Sequence, residues 1–301
     1  MSNPMLSPDK FTPASGPPAA WPDEQRPGWG APGSPGTPGG PPVPPARDNV
    51  PGSAWPPPAG PSAEPTLRRG GVASATGVLL AIICLVGVVG WNVVTTTTTT
   101  GLDDQGQLVE QTSVDIPPWV IGAVFVGLGL ALLSFFKPKL ARITAPLYAV
   151  AQGIFVGAIS KAYEVQYEGI VLQAVGLTVG VFAIMLVLYA TGRIRVTPRF
   201  RLGVIAATGG VMLIYLVSIV ANLFGAGVPL IHDNGIVGIG FSVVVVVIAA
   251  LNLTLDFDFI DKAEQAGAPR HMEWFAALGL VVTLVWLYLE LLRLLAKLRS
   301  R

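Results

Sequence analysis

Seven long apolar runs divide this chain and limit the folds open to it. Each run has close to the roughly 20 residues that a helix needs to cross a bilayer. The first six contain no charged residue apart from Lys161, at the end of the third. Because lipid offers the backbone no hydrogen bonds, continuous runs of this length predict helices. We therefore predict an all-α polytopic membrane protein, a bundle of seven transmembrane helices at about 72–94, 117–136, 144–162, 170–190, 202–224, 236–255 and 274–295.

The composition agrees with a membrane protein. Hydrophobic residues make up 51% of the chain and charged residues only 12%, whereas soluble domains average about 25% charged residues. The formal net charge is +1, so no basic excess points to nucleic acid. We expect the lipid bilayer as the surroundings of this protein and no nucleic-acid partner.

The first 66 residues differ sharply from the rest, because they hold 20 of the 27 prolines. Few aliphatic residues are available there for a core, so we predict a disordered, Pro/Gly-rich cytoplasmic tail with polyproline II character. A transmembrane domain over 67–301 follows it. Three tryptophans in the tail either contact a partner protein or belong to a solvated spacer: Trp21, Trp29 and Trp55.

Lysine and arginine in the short connections predict the orientation. Arg68 and Arg69 precede the first run, whereas the connection at 95–116 has four acids and no basic residue. This places the N-terminus in the cytoplasm, in a plasma membrane. Seven spans then put the C-terminus outside, although it is crowded with basic residues. Either the last helix is drawn across by its neighbours, or it does not fully span and returns: the residues concerned are Arg293, Lys297, Arg299 and Arg301.

Small residues spaced four apart predict close approach of helix backbones. Gly153 and Gly157 form one such pair in the third run, and Gly176 and Gly180 form another in the fourth. We expect both pairs to lie at helix contacts inside the bundle.

Five segments together resemble the Bax inhibitor-1 (YccA-like) family of membrane proteins, in the bacterial branch with a Pro-rich N-terminal extension. The resemblance covers about 70–298. The segments are TAPLYAVAQGIFVGAIS at 144–160, YEGIVLQAVGLT at 167–178, ATGRIRVTPRF at 190–200, LNLTLDFDFIDKAEQ at 251–265 and AALGLVVTLVWLYLELLRLL at 276–295.

This resemblance implies a fold in which two three-helix layers enclose a central last helix. It also implies a pH-sensitive calcium or cation leak, gated by a pair of aspartates on helices six and seven. Stress-protective and protease-modulating roles are attached to the family as well, and it is not an enzyme family.

Carried over residue by residue, the resemblance assigns the helix-six aspartate to Asp258, or to Asp256 if the polar end of that helix starts earlier. On helix seven the family pattern, laid without gaps, puts Thr283 where the aspartate is expected. Glu290 lies two turns further along the same helix face and is the candidate replacement. Gln152 stands where many relatives carry an acid, so Thr283 and Gln152 are supporting polar residues.

Glu290 is the only acid inside a long apolar run. A carboxylate at mid-depth in a bilayer costs about 2.5 kcal/mol or more, so such a group usually has a partner or a function. One interpretation is that Glu290 is buried and has a function inside the bundle. The other pairs it with Arg293, three residues away, near the membrane interface.

The acids at the end of the sixth run have a definite helical arrangement. Asp256 and Asp258 point about 200° apart around a helix, whereas Asp258 and Asp261 share a face. We expect that shared face to meet helix seven while Asp256 points elsewhere. The alternative is that these acids simply face water at the end of the span.

Two hypotheses follow from the acids and the resemblance. In the first, the protein passes cations, with Ca²⁺ as the transported ion, because Ca²⁺ takes oxygen ligands. Asp258 and Glu290 then form the ion pathway or pH gate, with Asp256 in support, and no cofactor or separate metal site is expected. In the second, the protein does not conduct and modulates a membrane protease or another membrane protein. Neither hypothesis makes it an enzyme.

Overall fold

The computed structural model describes residues 66–102, 108–223 and 235–300. The predicted tail therefore lies outside the described residues, apart from Thr66. Within them are seven helices long and apolar enough to cross a membrane, as predicted. They are α1 (Arg69–Val93), α2 (Pro118–Phe136), α3 (Ala141–Gln166), α4 (Ile170–Ala190), α5 (Pro198–Leu223), α6 (Ile236–Gln265) and α7 (Met272–Arg299), with a short 3₁₀ turn at Pro138–Leu140 before α3.

Helix α6 continues ten residues beyond the predicted end of its span, as far as Gln265. The apolar pattern stops at the first acid, but the polar residues that follow still face neighbouring helices, and so the helix persists. Ala266 and Gly267 then end it, and Gly267 has a φ of 64°, a left-handed conformation that glycine adopts without strain. The acids at 256–264 are consequently part of a rigid helix rather than a loop.

A β-hairpin joins α1 to α2, in the segment 95–116 for which the sequence predicts only an acidic connection. Strand β1 (Thr95–Leu102) pairs antiparallel with β2 (Leu108–Asp115), from Thr95 opposite Asp115 to Leu102 opposite Leu108. Threonine is β-branched and favours extended backbone, which explains why the six-threonine run forms a strand. Val94 and Val120 are buried at the base of this hairpin against Ala158 of α3.

Helix α7 is the centre of the bundle. Of its most apolar 18 residues 72% are buried, against 50% or less in every other described helix. Two apolar clusters meet on it, one with α1 and α3 and the other with α4 and α6. Leu287 and Leu292 are fully buried there. This agrees with the resemblance, which implies an enclosed last helix.

Helices α1 and α3 pack backbone against backbone through glycine. A Cβ on Gly157 would collide with the backbone carbonyl of Gly87, and one on Gly153 would press on Val86. The first predicted glycine pair is therefore a helix contact. The second is not, since a Cβ on Gly176 or Gly180 would meet no described atom within 4 Å.

Candidate functional site

Asp256 is the acid of α6 that faces the central helix. Its Oδ1 atom lies 3.9 Å from where a Cβ on Gly279 would stand. The Thr283 hydroxyl is next to the carboxyl and donates to the Gly279 carbonyl at 3.2 Å. The Oδ2 atom is buried and has no hydrogen-bond partner among the described residues. Asp256, the alternative choice for the helix-six aspartate, therefore lies next to Thr283, the position where the resemblance implies the helix-seven aspartate.

Asp258 and Asp261 share a face, as predicted, but the partners that the structure gives them belong to α6, α1 and α4 rather than to α7. Both border a cavity between α1 and α4, and the Asp258 carboxylate accepts a hydrogen bond from Lys262 Nζ at 2.6 Å. The expectation that Asp256 points elsewhere is thus reversed. The reason is the helix phase, since two residues along a helix turn a side chain by about 200°.

Glu290 is buried and also paired, so the structure combines the two sequence readings. The residue is 2% exposed. Arg293 Nη1 donates to Oε1 at 2.9 Å and to Oε2 at 3.2 Å, while the Tyr215 hydroxyl of α5 donates to Oε1 at 2.7 Å. The Arg293 guanidinium lies 5.0 Å from the centre of the Tyr215 ring. The charge of Glu290 is therefore compensated within the bundle.

The structure does not bring Asp258 and Glu290 together. Helices α6 and α7 run antiparallel, and Asp256 marks the level of Thr283. From that level Glu290 lies seven residues along α7 and Asp258 lies two residues the other way. At 1.5 Å per residue they are offset by about 13 Å along the bundle. Their predicted role as a carboxylate pair has no support in this geometry.

Gln152 of α3 faces α2 rather than the central helix. Its Nε2 atom lies 3.6 Å from where a Cβ on Gly127 would stand. Its buried Oε1 has no hydrogen-bond partner in the described part of the chain. Gln152 is thus a polar residue of the α2–α3 contact, whereas Asp256 belongs to the α6–α7 contact.

An ion-pair cluster at the start of α1 was not predicted from the sequence. The Arg69 Nε atom lies 3.0 Å from Asp261 Oδ1 and 2.6 Å from Glu264 Oε2. Tyr189 of α4 donates to the other Asp261 oxygen at 2.9 Å. The sequence predicts only an orientation role for Arg69, and the signal that could have revealed the cluster is the spacing of acids at 261 and 264 on one helix face.

The residues just before α1 are also bound to the α6–α7 connection. The Leu67 amide donates to the Ala268 carbonyl at 2.7 Å, and Leu67 is 1% exposed. The Arg68 amide donates to the Glu273 carboxylate at 3.1 Å. A Cβ on Gly71 would collide with that carboxylate. The junction between tail and bundle is therefore a packed part of the protein.

The basic residues at the end of α7 have partners inside the protein. Lys297 is 5% exposed and donates to Gly238 O and Ser242 Oγ of α6, each at 3.0 Å. Arg299 donates to the Glu168 carbonyl at 2.6 Å. Helix α7 is continuous, and its last turns lie beside the first turns of α6. The sequence leaves two alternatives for this helix: its neighbours draw it across, or it does not fully span and returns. The described residues show no return.

In the comparisons with known proteins, a family model matches this chain. No curated protein matches the chain. In the described residues, no three His, Cys, Asp or Glu side chains come together to hold a metal ion. The family described as "Bax inhibitor 1 like" matches residues 18–300, which includes part of the Pro-rich segment. Seven apolar helices around a buried last helix, matched over almost the whole length, place this chain in the Bax inhibitor 1 like family of multi-pass membrane proteins.

Proposed function

We propose that this protein is a pH-sensitive cation leak, with Ca²⁺ as the transported ion, and that Asp256 is its gating carboxylate. One observation carries the proposal: a carboxylate oxygen is buried without a hydrogen-bond partner, among the described residues, where α6 meets the central helix. Buried polar atoms in proteins nearly always have a partner. Such an atom is suited to an ion or a water molecule that passes through.

The oxygens around Asp256 suit transient binding of a cation. They are the Asp256 carboxylate, the Thr283 hydroxyl and the Gly279 carbonyl. Ca²⁺ takes six to eight oxygen ligands, so water would supply the remainder. Conduction needs sites that bind weakly enough to release the ion. A single carboxylate with neutral neighbours binds a cation weakly, which fits a leak better than a tight binding site. Protonation of that carboxylate would remove the only charge among these three ligand groups.

The test is Ca²⁺ flux into liposomes that hold the purified chain, at acidic and alkaline pH. We expect flux above that of empty liposomes, and a dependence on pH that Asp256→Asn abolishes. Asp258→Asn is the matched control, because that carboxylate is paired with Lys262 on another face of the same helix. It should leave the pH dependence in place, as should Glu290→Gln.

A gain-of-function variant separates the gate from the general stability of the bundle. Thr283→Asp restores the acid that the resemblance implies opposite Asp256, and we expect it to steepen the pH dependence of the flux. If folded wild-type protein gives no flux at either pH, the leak is wrong. If Asp258→Asn alone abolishes the pH dependence, the gate is misassigned.

The second candidate is a non-conducting protein that modulates a membrane protease or another membrane protein. The observation that favours it is Thr283, because the family's second acid is missing opposite Asp256. A deletion of residues 1–60 distinguishes the two. A leak should survive that deletion, whereas binding through the tail should be lost. The deletion stops before Leu67 and Arg68, since those residues are bound to the α6–α7 connection.

The proposal includes a place and an orientation. In this proposal the membrane is the cell membrane and the N-terminus lies in the cytoplasm, an orientation that the arginines at the start of α1 and the acidic connection at 95–116 support. No enzymatic step and no cofactor form part of it. Attachment of an impermeant reagent to single cysteines at the hairpin or at the α4–α5 connection would determine the orientation.

A further inference from the structure

A large groove lies between α1 and α4, away from Asp256. Its volume is about 1430 Å³, and α3, α6 and α7 contribute residues to its lining. Exposed side chains of both walls line it at mid-span, among them Cys84, Val88 and Val179. The groove therefore opens sideways, where the bilayer would surround the helix bundle.

The groove reaches across the whole span. On α1 its lining extends from Arg69 to Trp91, which is about 33 Å at 1.5 Å per residue and close to the roughly 30 Å thickness of the hydrocarbon layer. Most of the lining is apolar. The charged residues of the lining lie at the Arg69 end, the predicted cytoplasmic end.

The shape of the groove and the charge at its mouth favour a lipid as the occupant. The groove is apolar and opens sideways, so acyl chains of the surrounding bilayer can enter and fill it. A transmembrane helix of a second copy is the alternative occupant, and the experiment below distinguishes the two.

One hydroxyl group in the lining lacks a partner. Thr76 is 6% exposed, and its Oγ1 has no hydrogen-bond partner among the described residues. The Ser160 and Tyr288 hydroxyls bond to each other at 2.6 Å, and Thr178 donates to the Ala174 carbonyl at 2.7 Å. Thr76 can therefore donate a hydrogen bond to an acceptor within the groove.

The charges at the mouth leave one cation available. Asp258 is paired with Lys262, and Asp261 with Arg69. Arg195 also lines the mouth, is exposed, and has no ion pair within the described residues. It belongs to the segment 190–201, which joins α4 to the first turn of α5 and carries four arginines and no acid. Basic residues at this depth attract anionic lipid headgroups.

We propose that this groove binds one anionic phospholipid from the cytoplasmic leaflet. Its acyl chains lie between α1 and α4, its phosphate contacts Arg195, and an ester carbonyl accepts the hydrogen bond of Thr76. Thr76 lies seven residues inward from Arg69, about 10 Å along the helix. The groove thus offers first a positive charge, then a hydroxyl donor and then an apolar channel, which matches the order of phosphate, ester carbonyl and acyl chain along a phospholipid. The site is independent of the proposed cation leak.

The test uses the full chain in detergent, titrated with phosphatidylglycerol or with phosphatidylcholine of the same acyl chains, with native mass spectrometry to count bound lipids. We expect one tightly bound phosphatidylglycerol and weaker binding of phosphatidylcholine. Arg195→Gln should weaken phosphatidylglycerol binding about fivefold, the effect of one basic residue. Arg199→Gln is the matched control, because it removes the same charge four residues further along, in the first turn of α5 and outside the groove lining.

A second pair of variants tests the groove itself. A Cβ on Gly77 meets no described atom within 4 Å and points into groove space, so Gly77→Trp fills the groove without an internal clash. We expect binding of both lipids to fall at least about tenfold. Gly122→Trp, on a similarly open face of α2, should have no effect. Val179→Trp repeats the block from the α4 wall, and circular dichroism checks that each variant is folded.

Three results would overturn the proposal. Lipid binding that persists in both Gly77→Trp and Val179→Trp would show that the groove is not the site. Equal affinity for the two lipids, unchanged in Arg195→Gln, would show that the groove does not recognise the anionic headgroup. A dimer in wild-type protein that Gly77→Trp dissociates would assign the groove to a second copy of the chain.

Discussion

Replacing Arg293 with methionine should destabilise the bundle strongly, because it leaves Glu290 buried without its cation. Glu290 is 2% exposed, and the Tyr215 hydroxyl would be its only remaining side-chain partner among the contacts described above. Removing one partner of a buried ion pair costs about 3–5 kcal/mol. For a domain of this size, 1 kcal/mol shifts the melting temperature by about 2–4 °C. We therefore expect a fall of about 6–20 °C.

The assay is thermal unfolding of the full chain in one detergent at one scan rate, followed by circular dichroism. Arg299→Met is the matched control. It makes the same substitution six residues along the same helix, at an exposed residue that bonds only to a backbone carbonyl, and should stay within about 0.5 kcal/mol of wild type. The double variant Glu290→Gln, Arg293→Met should recover part of the loss. A melting temperature of Arg293→Met equal to that of the control would refute the reasoning.

Two further predictions concern the contacts that other helices make with α1. Gly157→Ala should lower the melting temperature, because the new methyl group meets the Gly87 carbonyl and overpacking costs about 1–3 kcal/mol; Gly176→Ala, which meets nothing, should leave it unchanged or raise it. Arg69→Gln should change global stability by less than about 1 kcal/mol, since its side chain is 58% exposed. It should nevertheless speed amide hydrogen exchange in the first turn of α1, through loss of the contact with Asp261. Unchanged exchange there would contradict a stabilising role for this ion pair.

The position of each helix along the chain followed from the sequence. Runs of about 20 apolar residues in lipid have few structural solutions, and all seven predicted spans are helices in the structure. The prediction fell short where a helix continued into polar sequence, as in α6, because its later residues are held by side chains from distant parts of the chain. The hairpin at 95–115 was missed since strand pairing depends on a partner strand, which a run of threonines does not reveal.

For the candidate site, too, the sequence predicts part of the arrangement and the structure decides the rest. From the sequence, we predict that Asp256, Asp258 and Glu290 belong to the ion pathway or pH gate, and we find Thr283 where the family carries an acid. The sequence did not determine which aspartate faces the central helix, because two residues reverse the direction of a side chain and only packing sets the rotation of α6 about its axis. The structure turns Asp256 toward α7 and leaves Asp258 to Lys262.

What the sequence by itself determined is the class of protein: a seven-helix membrane bundle of the Bax inhibitor 1 like family, with very few charges inside it. What the tertiary structure decided is how those charges are used. The sequence already offers Arg293 as the cation that pairs with Glu290, whereas the hydrogen bond from Tyr215, a residue 75 positions earlier in the chain, appears only in the tertiary structure. Asp256 is the acid with an unpaired buried oxygen among the described residues. Such pairings depend on distances between helices, and local sequence carries no information about them.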